Sequence, residues 1–326
     1  MSLTGQQAAD AFDGIMAGEA TPAQVSALLM GLRVKGETSD EVAGAARALR
    51  RAMVALDADQ PATLVDTCGT GGGSVTTFNI STAAALLAAG LGVRVAKHGN
   101  RSFTSQCGSA DVLEALGVPL EVTPDRMAQV LRSAGIVFMF APTMHPAMRH
   151  VGPVRRELAI QTVMNVVGPL ANPARAGRQV LGVADPARLA LMAGALAALG
   201  TVHAMVVHGE AGLDEIAPMG KTRVLEVREG EVKTWQIDPS SFGLREARPE
   251  ELAGGPPARN AEIIQEVLGG KGKPGAAAAV VLNAAAALYV AGGVKSFGDA
   301  VSQARDGIAS GAGLTALSRM RAAYTA

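Results

Sequence analysis

Cysteine is scarce in this chain of 326 residues, which contains only Cys68 and Cys107. Two cysteines are too few for the disulfide framework of a small secreted protein. Both lie next to glycine-rich stretches, but no base or metal-ligand spacing accompanies either one in the sequence, which disfavours a catalytic role. We expect two small buried side chains in a reducing cytosol.

The chain also lacks an excess of charge, because 29 Lys and Arg residues balance 29 Asp and Glu residues. A neutral protein has no overall positive field that would hold a nucleic-acid backbone. We therefore expect no nucleic-acid partner, and any phosphate group must be bound by a local arrangement of donors.

Long apolar runs are missing, with one exception at residues 276–291. This alanine-rich run contains Asn283 and is shorter than the roughly 20 residues that span a bilayer, so it favours a buried helix. The N-terminus has neither the basic segment nor the continuous apolar segment of a signal peptide. These features predict a cytoplasmic protein without membrane contact.

The chain is long enough for one large core and a smaller subdomain. Helical periodicity covers three N-terminal segments, residues 6–17, 22–34 and 39–55. Thr21 and Thr38 begin capping-box patterns. After Pro61 strands and helices alternate, which favours an α/β fold with a mainly parallel central sheet flanked by helices. The strands expected are 64–66, 93–96, 136–140, 179–183 and 205–208, and the helices between them are 83–89, 110–116, 124–133 and 187–199. Residues 224–228 and 232–237 are expected to form a hairpin, and 261–268, 276–291 and 297–309 the closing helices.

A glycine loop, residues 69–74 with the sequence GTGGGS, follows the first of these strands. Its glycines remove the Cβ atoms where a loop would approach a ligand, so that backbone N–H groups can bind phosphate. The loop lacks the Lys-Ser/Thr ending of a P-loop, and Ser74 stands where a dinucleotide-binding motif needs glycine. Neither an ATPase nor a dehydrogenase follows from it.

A second group of donors lies just beyond the loop. Asn79, Ser81 and Thr82 precede the apolar run 83–91, at a helix N-terminus whose dipole favours anions. The basic turn KHGNR, residues 97–101, follows a short strand. One ligand that carries two separate phosphate groups would use all of these donors.

These motifs together resemble the anthranilate phosphoribosyltransferase family, which reads GTGGDG, TFNIST, KHGNR and SGSAD in this order. Residues 145–150, 153–158, Asn165 and 168–173 are similar to the second signature block of the family, and 212–216 to its third. The resemblance covers essentially the whole chain.

The resemblance implies a fold like that of nucleoside phosphorylases and phosphoribosyltransferases. A small N-terminal helical domain would cover residues 1–62 and include a later segment at 149–170. An α/β domain would cover 63–326, with the active site in the cleft between the two domains. The resemblance also favours a homodimer.

The implied reaction transfers the phosphoribosyl group of phosphoribosyl pyrophosphate to the amine of anthranilate and releases pyrophosphate, a step of tryptophan biosynthesis. Mg²⁺ on the pyrophosphate prefers hard oxygen ligands. In the family such ligands match Ser81, Asp214 and Glu215. An isolated Asp-Glu pair is ordinarily a surface feature, and only its flanking residues favour the metal interpretation.

By resemblance, the donor substrate would contact Gly69, Gly72, Gly73, Thr77, Asn79, Ile80, Ser81, Thr82, Lys97, His98, Gly99, Asn100, Arg101, Ser102, Phe103, Thr104, Ser105 and Ser109. Anthranilate would contact Gly69, Asn100, Arg155, His98 and His145. The Arg155 guanidinium could pair with the carboxylate through two hydrogen bonds. We assign no general base, because the aromatic amine is already neutral at physiological pH.

The chain departs from the family pattern at Gly73-Ser74, where the family usually has Asp-Gly. A carboxylate near the pyrophosphate and its metal is therefore missing, and we expect altered Mg²⁺ dependence rather than lost activity. Thr104 stands for a frequent Ser and keeps the hydroxyl. Ala159 and Gln161 replace a common Gly and Arg, which puts only local geometry in doubt.

Two alternatives remain open from the residues. A pyrimidine nucleoside phosphorylase has a similar architecture but would require a different glycine loop and a nucleobase site. A non-enzymatic, nucleic-acid-binding relative would have lost its acceptor site. The zero net charge and the presence of Asn100 and Arg155 disfavour the second alternative.

Overall fold

The computed structural model describes residues 1–73, 75–102 and 106–325. In these ranges seven strands form one sheet: β1 (Val65–Gly69), β2 (Val95–Gly99), β3 (Ile136–Phe140), β4 (Arg178–Gly182), β5 (His203–Gly209), β6 (Thr222–Arg228) and β7 (Glu231–Ile237). The α-helices described are α1 (Gly5–Ala17), α2 (Pro22–Lys35), α3 (Ser39–Ala52), α4 (Ile80–Gly90), α5 (Ser109–Ala115), α6 (Pro124–Ala134), α7 (Ala141–Met144), α8 (Gly152–Leu158), α9 (Met164–Val167), α10 (Leu189–Ala198), α11 (Pro249–Leu252), α12 (Pro257–Leu268), α13 (Pro274–Ala291), α14 (Phe297–Ala309) and α15 (Ala312–Thr325).

The strand order of the sheet is β3-β2-β1-β4-β5-β6-β7. The first five strands are parallel, and β6 and β7 pair antiparallel at one edge. Glu229 and Gly230 make the predicted hairpin turn, with φ values of 53° and 82°. The predicted α/β class, with helices before a mainly parallel sheet, is confirmed.

Several predicted boundaries are wrong, for tertiary reasons. Strand β1 continues to Gly69 because it pairs with β4 along its length, and β2 continues to Gly99 because it pairs with β3. Three of the five residues of the expected basic turn, 97–99, therefore belong to the strand. Helix α15 is missing from the prediction, because glycines at its start conceal its periodicity. Gly313 is needed there, since a Cβ would lie 2.6 Å from the Leu268 side chain.

Two apolar cores pack against the sheet and lie on opposite faces of β4 to β6. One contains α4, α13, α14 and α15. The other contains α1 to α3, α10, the segment 147–171 and the side chains of β4 to β6 that point towards these helices. Val151, Val163 and Leu170 thus pack in the same core as the N-terminal helices, and the division into two domains stays a prediction. Helix α13 is long and apolar enough to cross a membrane, but it is mostly buried in the core, as predicted for residues 276–291.

Candidate active site

The glycine loop lies at the carboxyl edge of the parallel strands, where open α/β sheets bind ligands. Thr70 anchors it, because its N–H donates to Gly182 O at 2.9 Å and its Oγ1 accepts from Ala184 N at 3.1 Å. Gly71 and Gly72 have φ values of 69° and 82°, and a Cβ on either would meet no atom of the described residues within 4 Å. The tip of the loop is therefore open and in a conformation that favours glycine.

An acidic pair lies directly beneath this loop. Asp214 Oδ2 accepts a hydrogen bond of 2.8 Å from Gly71 N, and Glu215 Oε1 accepts one of 3.0 Å from Ser81 N. A Cβ at Gly69 would collide with the Asp214 carboxylate. The loop, the start of α4 and the acidic pair thus form one unit, although they are far apart in sequence.

The charges of the acidic pair are poorly compensated by the protein. Burial raises the pKa of Asp214, although the Gly71 N–H partly opposes this. Burial and the neighbouring charge of Asp214 raise the pKa of Glu215 well above its ordinary value. Glu215 Oε2 is buried without a hydrogen-bond partner among the described residues. Two adjacent carboxylates whose negative charge the protein does not balance are suited to bind a divalent cation such as Mg²⁺.

Lys97 lies behind the acidic pair and is 3% exposed. Its Nζ contacts the backbone carbonyl of Thr67 and lies 3.5 Å from Ser81 Oγ. Burial lowers the pKa of Lys97, while the charges of Asp66 and Glu215 oppose this. Lys97 therefore supplies charge from the interior and does not extend into solvent.

Not all residues at the start of α4 face the loop. Ile80 and Thr82 are buried, and Thr82 Oγ1 has no hydrogen-bond partner in the described part of the chain. Thr82 lies among apolar side chains such as Leu86 and Phe138. The helix begins at Ile80 and turns the Thr82 hydroxyl towards the core, and the expected contact of Thr82 with the donor stays a prediction.

Asn79 is fixed by neighbours that the sequence did not indicate. Its Nδ2 donates to Cys107 O at 3.2 Å, and its Oδ1 accepts from Asn260 Nδ2 at 2.9 Å. It makes no side-chain cap to α4. Thr77, close by, is half-buried, and a Cβ at Gly254 would lie 2.7 Å from its carbonyl oxygen.

The turn after β2 packs on α5. Asn100 O accepts hydrogen bonds from Ala110 N and Ser109 Oγ at 3.2 and 3.4 Å, while its side-chain oxygen accepts from Arg101 N at 2.8 Å. The amide nitrogen of Asn100 makes no hydrogen bond to the described residues. Ser102 N donates to Asp111 at 3.1 Å. The free amide can thus reach a ligand, whereas the turn itself is held by the helix.

Arg101 is directed to the protein rather than to the loop. Its guanidinium pairs with Asp111 at 2.8 Å and with Glu114 at 2.9 Å, and it lies 5.8 Å from the ring centre of Phe140. The Glu114 and Asp111 hydrogen bonds raise its pKa further. A phosphate contact from Arg101 would have to replace these ion pairs.

His98 is buried between two acceptors. Its Nδ1 lies 2.6 Å from Asp66 Oδ2 and its Nε2 lies 3.0 Å from Gly168 O. Burial alone would lower the pKa of His98, but the charge and hydrogen bond of Asp66, with the Gly168 carbonyl, raise it. Asn172 Nδ2 also donates to Asp66 Oδ2, at 2.8 Å. The ring is therefore held rather than free to turn in a passage.

His145 and Arg155 have few partners. Among the described residues, neither ring nitrogen of His145 makes a hydrogen bond. Burial, then the charge of His98, lower the pKa of His145 to about 4, and the nearby Ala171 backbone offsets only part of this. The guanidinium of half-buried Arg155 makes no ion pair or hydrogen bond in the same ranges, and burial lowers its pKa. An uncompensated guanidinium of this kind favours a carboxylate ligand.

A cleft of about 150 Å³ opens beside the glycine loop. Thr70, Gly71 and Gly72 line one side, and the opposite side is lined by Gln161, Asn165, Val166, Ala184, Asp185 and Arg188. The glycine loop therefore faces the segment that follows α8 across this cleft. Arg188 is buried here, and no motif in the sequence indicated it.

The cysteines differ in burial. Cys107 is buried as expected, whereas Cys68 is only partly buried. The sequence places no base near Cys68, but the fold does, because the Cys68 sulfur lies within 4.8 Å of ligand atoms of Asp66 and His98. Burial, first of all, raises the pKa of the Cys68 thiol well above its usual value. Asp66 and His98 bind each other, so the three residues do not form an open metal site.

Comparison with known proteins gives one family for both parts of the chain. Residues 1–53 match the helical bundle domain of a glycosyl transferase family, and residues 61–314 match its a/b domain. The curated anthranilate phosphoribosyltransferase of Roseiflexus castenholzii is 50% identical over 319 residues, which cover 98% of this chain and 93% of that protein. That of Rhodopseudomonas palustris is 48% identical over 325 residues, covering 100% and 95%. The chain belongs to the anthranilate phosphoribosyltransferase family.

Solved structures of anthranilate phosphoribosyltransferases have the same fold. The enzyme from Thermus thermophilus superposes with a TM-score of 0.94 at 45% identity, covering 100% of this chain and 97% of that chain. The enzyme from Saccharomyces cerevisiae in complex with PRPP and Mg gives a TM-score of 0.89 at 30% identity, covering 99% and 94%. The phosphorylase and nucleic-acid-binding alternatives are not favoured by these matches.

Ser74, Phe103, Thr104 and Ser105 lie outside the described residues. Gly73 is described, and a Cβ there would lie 2.9 Å from Gly212 O and 3.5 Å from Asp214 Oδ1. The position where the family usually has Asp is therefore adjacent to the acidic pair.

Proposed function

We propose that this protein transfers the phosphoribosyl group of phosphoribosyl pyrophosphate to the amine of anthranilate, as a step of tryptophan biosynthesis. The observation that carries the proposal is the unit formed by the glycine loop, the Ser81 N–H and the buried Asp214-Glu215 pair. The N–H groups of Gly72 and Gly73, which donate to no described residue, lie in this unit beside acids that fit a divalent cation. It suits the binding of a metal-associated pyrophosphate at the mouth of a cleft.

The donor substrate would lie across the loop and the start of α4. Gly69, Gly72, Gly73 and Ser81 would bind its pyrophosphate, with Thr77, Asn79 and Ser109 nearby. The reaction breaks the bond between ribose C1 and pyrophosphate, so positive charge grows at carbon and negative charge on the leaving group. Donors that are already fixed stabilise such a leaving group without reorganisation. Buried Lys97 adds a positive charge behind Ser81.

Mg²⁺ fits this site through Asp214, Glu215 and Ser81, because the unpartnered Glu215 Oε2 requires a positive partner. When bound, Mg²⁺ would neutralise negative charge on the pyrophosphate. The protein itself holds the glycine loop in place, because the Asp214 carboxylate accepts a hydrogen bond from the N–H of Gly71.

The acceptor anthranilate would bind through its carboxylate to Arg155, with Gly69, Asn100, His98 and His145 around it. Arg155 is half-buried and unpaired in the described ranges, and Asn100 has a free amide. The chain positions the amine towards ribose C1 and needs no strong base, because the amine nitrogen is already neutral. Positioning of this kind is a large part of catalysis in two-substrate reactions.

The test is the loss of anthranilate fluorescence when the purified protein is mixed with phosphoribosyl pyrophosphate, Mg²⁺ and anthranilate. The loss should require all three components. Arg155→Ala should lower kcat/KM for anthranilate on the order of a hundredfold, since two charge-assisted hydrogen bonds are removed. The neighbouring Arg156 is exposed, so Arg156→Ala is the matched control and should change little. Binding of the donor without any turnover would mean that another acceptor is used.

The remaining assignments are part of the same proposal. We divide the chain into a helical domain of residues 1–62 with 149–170 and an α/β domain of 63–326. We also propose that the protein is cytoplasmic and binds neither nucleic acid nor membrane.

We also propose a homodimer through the helical domain, because Val34 on α2 is 80% exposed and an open groove of about 400 Å³ between α1 and α2 is lined partly by Ile15 and Leu28. Light scattering of wild type and Val34→Glu tests this, and a monomeric wild type would contradict it.

A further inference from the structure

His98 has an oxygen acceptor at each ring nitrogen. Asp66 Oδ2 lies 2.6 Å from Nδ1, and the carbonyl oxygen of Gly168 lies 3.0 Å from Nε2. A neutral imidazole has only one N–H, so it could satisfy only one of these acceptors. Both contacts are hydrogen bonds only if both nitrogens carry a proton. With Asp66 ionised, this geometry favours a buried imidazolium.

Asp66 is itself held on several sides. Asn172 Nδ2 donates to Asp66 Oδ2 at 2.8 Å and to Ala96 O at 2.8 Å, while Asn172 Oδ1 accepts from Ala174 N at 2.9 Å. Asp66 Oδ1 accepts from the backbone N–H of His98 at 3.3 Å. Asp66 is 1% exposed and Asn172 is 4% exposed. The carboxylate is therefore fixed in one orientation towards the ring.

The charged and titratable groups around His98 explain why the carboxylate is needed. Lys97 is a buried cation adjacent in sequence, and it opposes a second positive charge on His98. His145 is neutral, since its pKa is about 4, and gives no compensation. Cys68 remains a thiol because burial raises its pKa. Asp66 supplies the negative charge that balances the imidazolium.

The pair connects two parts of the proposed acceptor site. His98 lies in β2, two residues before Asn100, whereas Gly168 follows the segment that carries Arg155. The hydrogen bond from Nε2 to Gly168 O is thus a direct link between the turn and that segment. If Nε2 lost its proton, its lone pair would face the Gly168 carbonyl oxygen, and the two parts would separate.

We propose that Asp66, supported by Asn172, is a positioning residue that keeps both nitrogens of His98 protonated and so holds the Asn100 turn against the segment bearing Arg155. The inference rests on the proposed function where it concerns anthranilate. Asp66 acts through His98 and does not touch the substrate.

The first test is NMR titration of the full protein with ¹⁵N-labelled histidine. The chain has five histidines, and His98→Gln identifies the His98 signals. Wild-type His98 should keep both protons well above pH 6.5, whereas in Asp66→Asn it should lose one at a pH lower by more than about one unit. Identical His98 titration in wild type and Asp66→Asn would overturn the proposal.

Glu226→Gln is the matched control, because His203 Nε2 lies 2.8 Å from Glu226 Oε1 elsewhere on the same sheet. This substitution removes the carboxylate partner of His203, a histidine that does not belong to the site. Its KM values for both substrates and its His98 titration should equal those of wild type.

The second test is the pH dependence of KM. Asp66→Asn should raise KM for anthranilate on the order of tenfold at pH 8, because a neutral His98 without the carboxylate is oriented less firmly and its hydrogen bond to Gly168 is weaker. The defect should shrink below pH 6, where His98 is protonated without help, and KM for the donor should change less than about twofold. A purely structural role would raise both KM values equally at every pH, which would overturn the proposal.

Two further outcomes are distinguishable. If Asp66→Asn does not fold, Asn172→Ala replaces it, and should shift the His98 titration in the same direction by a smaller amount; no shift would overturn the proposal. If wild type does not use anthranilate, the proposed function fails, while the NMR titration still decides whether Asp66 holds His98 in its protonated form.

Discussion

The backbone N–H of Gly71 donates a 2.8 Å hydrogen bond to Oδ2 of Asp214, 143 residues further along the chain. This bond fixes the tip of the glycine loop above the acidic pair. The same carboxylate leaves no space for a Cβ at Gly69. Loop shape and cation site therefore depend on each other, and a change in one should be measurable in the other.

Replacement of Glu215 should separate stability from activity. Glu215 Oε2 is buried without a partner in the described ranges, so Glu215→Gln should stabilise the metal-free protein by about 1 to 3 kcal/mol while greatly reducing turnover. Thermal melts in EDTA and in Mg²⁺ measure this. Mg²⁺ should raise the wild-type Tm because it binds the folded state, and the rise should be absent in the variant. An equal rise in both proteins would contradict the assignment of Glu215.

A carboxylate at position 73 should change the Mg²⁺ requirement. The Cβ of Gly73→Asp would lie 3.5 Å from Asp214 Oδ1 and 2.9 Å from Gly212 O, so residues 212–214 must shift slightly. We expect half-maximal activity at a lower Mg²⁺ concentration, because a third acid joins the pair. Gly73→Asn has the same shape without charge and is the control. Equal metal profiles for the wild type and Gly73→Asp would show that the departure from the family is without consequence.

The buried position of Thr82 predicts that its hydroxyl is dispensable. Thr82→Val keeps the shape and removes an oxygen without a partner in the described structure, so it should be neutral or stabilise by about 1 kcal/mol. KM for the donor should stay within about twofold of wild type. Ser81→Ala, one residue earlier, should raise that KM clearly. A large increase with Thr82→Val would restore the contact expected from the family resemblance.

The Asp66–His98 pair predicts a defined pH window of extra stability. Burial opposes both charges, yet the pKa of Asp66 is lowered by the charge and hydrogen bond of His98, and the pKa of His98 is raised by Asp66. The Asp66 contribution is complete above its unfolded pKa of 3.8 and is lost as pH falls. The His98 contribution is complete below its unfolded pKa of 6.5 and is lost as pH rises through the higher folded value.

Urea unfolding of wild type and Asp66→Asn between pH 3 and 9 checks this window. The difference in unfolding free energy should be largest between pH 3.8 and 6.5, about 3 kcal/mol, because a buried pair is broken. It should decrease on both sides. A difference that is independent of pH would show that the pair is not ionised in the folded protein.

The sequence by itself determined the features that depend on local chemistry. Thr21 and Thr38 cap their helices as predicted, because a capping box needs only residues three positions apart. The glycine loop, the alternation of strands and helices and the order of the family motifs are also legible in the chain. They were enough for the fold class and the family.

Only the tertiary structure decided which of these residues meet. The direction of Thr82, the ion pairs of Arg101 and the anchoring of Asn79 by Asn260 depend on how separate elements pack. Asp66 and Asn172 are 106 residues apart, and their contact follows from β1 and the segment before β4 lying side by side. A single sequence records no such distances. Long-range pairing fixes them, because buried polar groups must find partners wherever the fold brings them together.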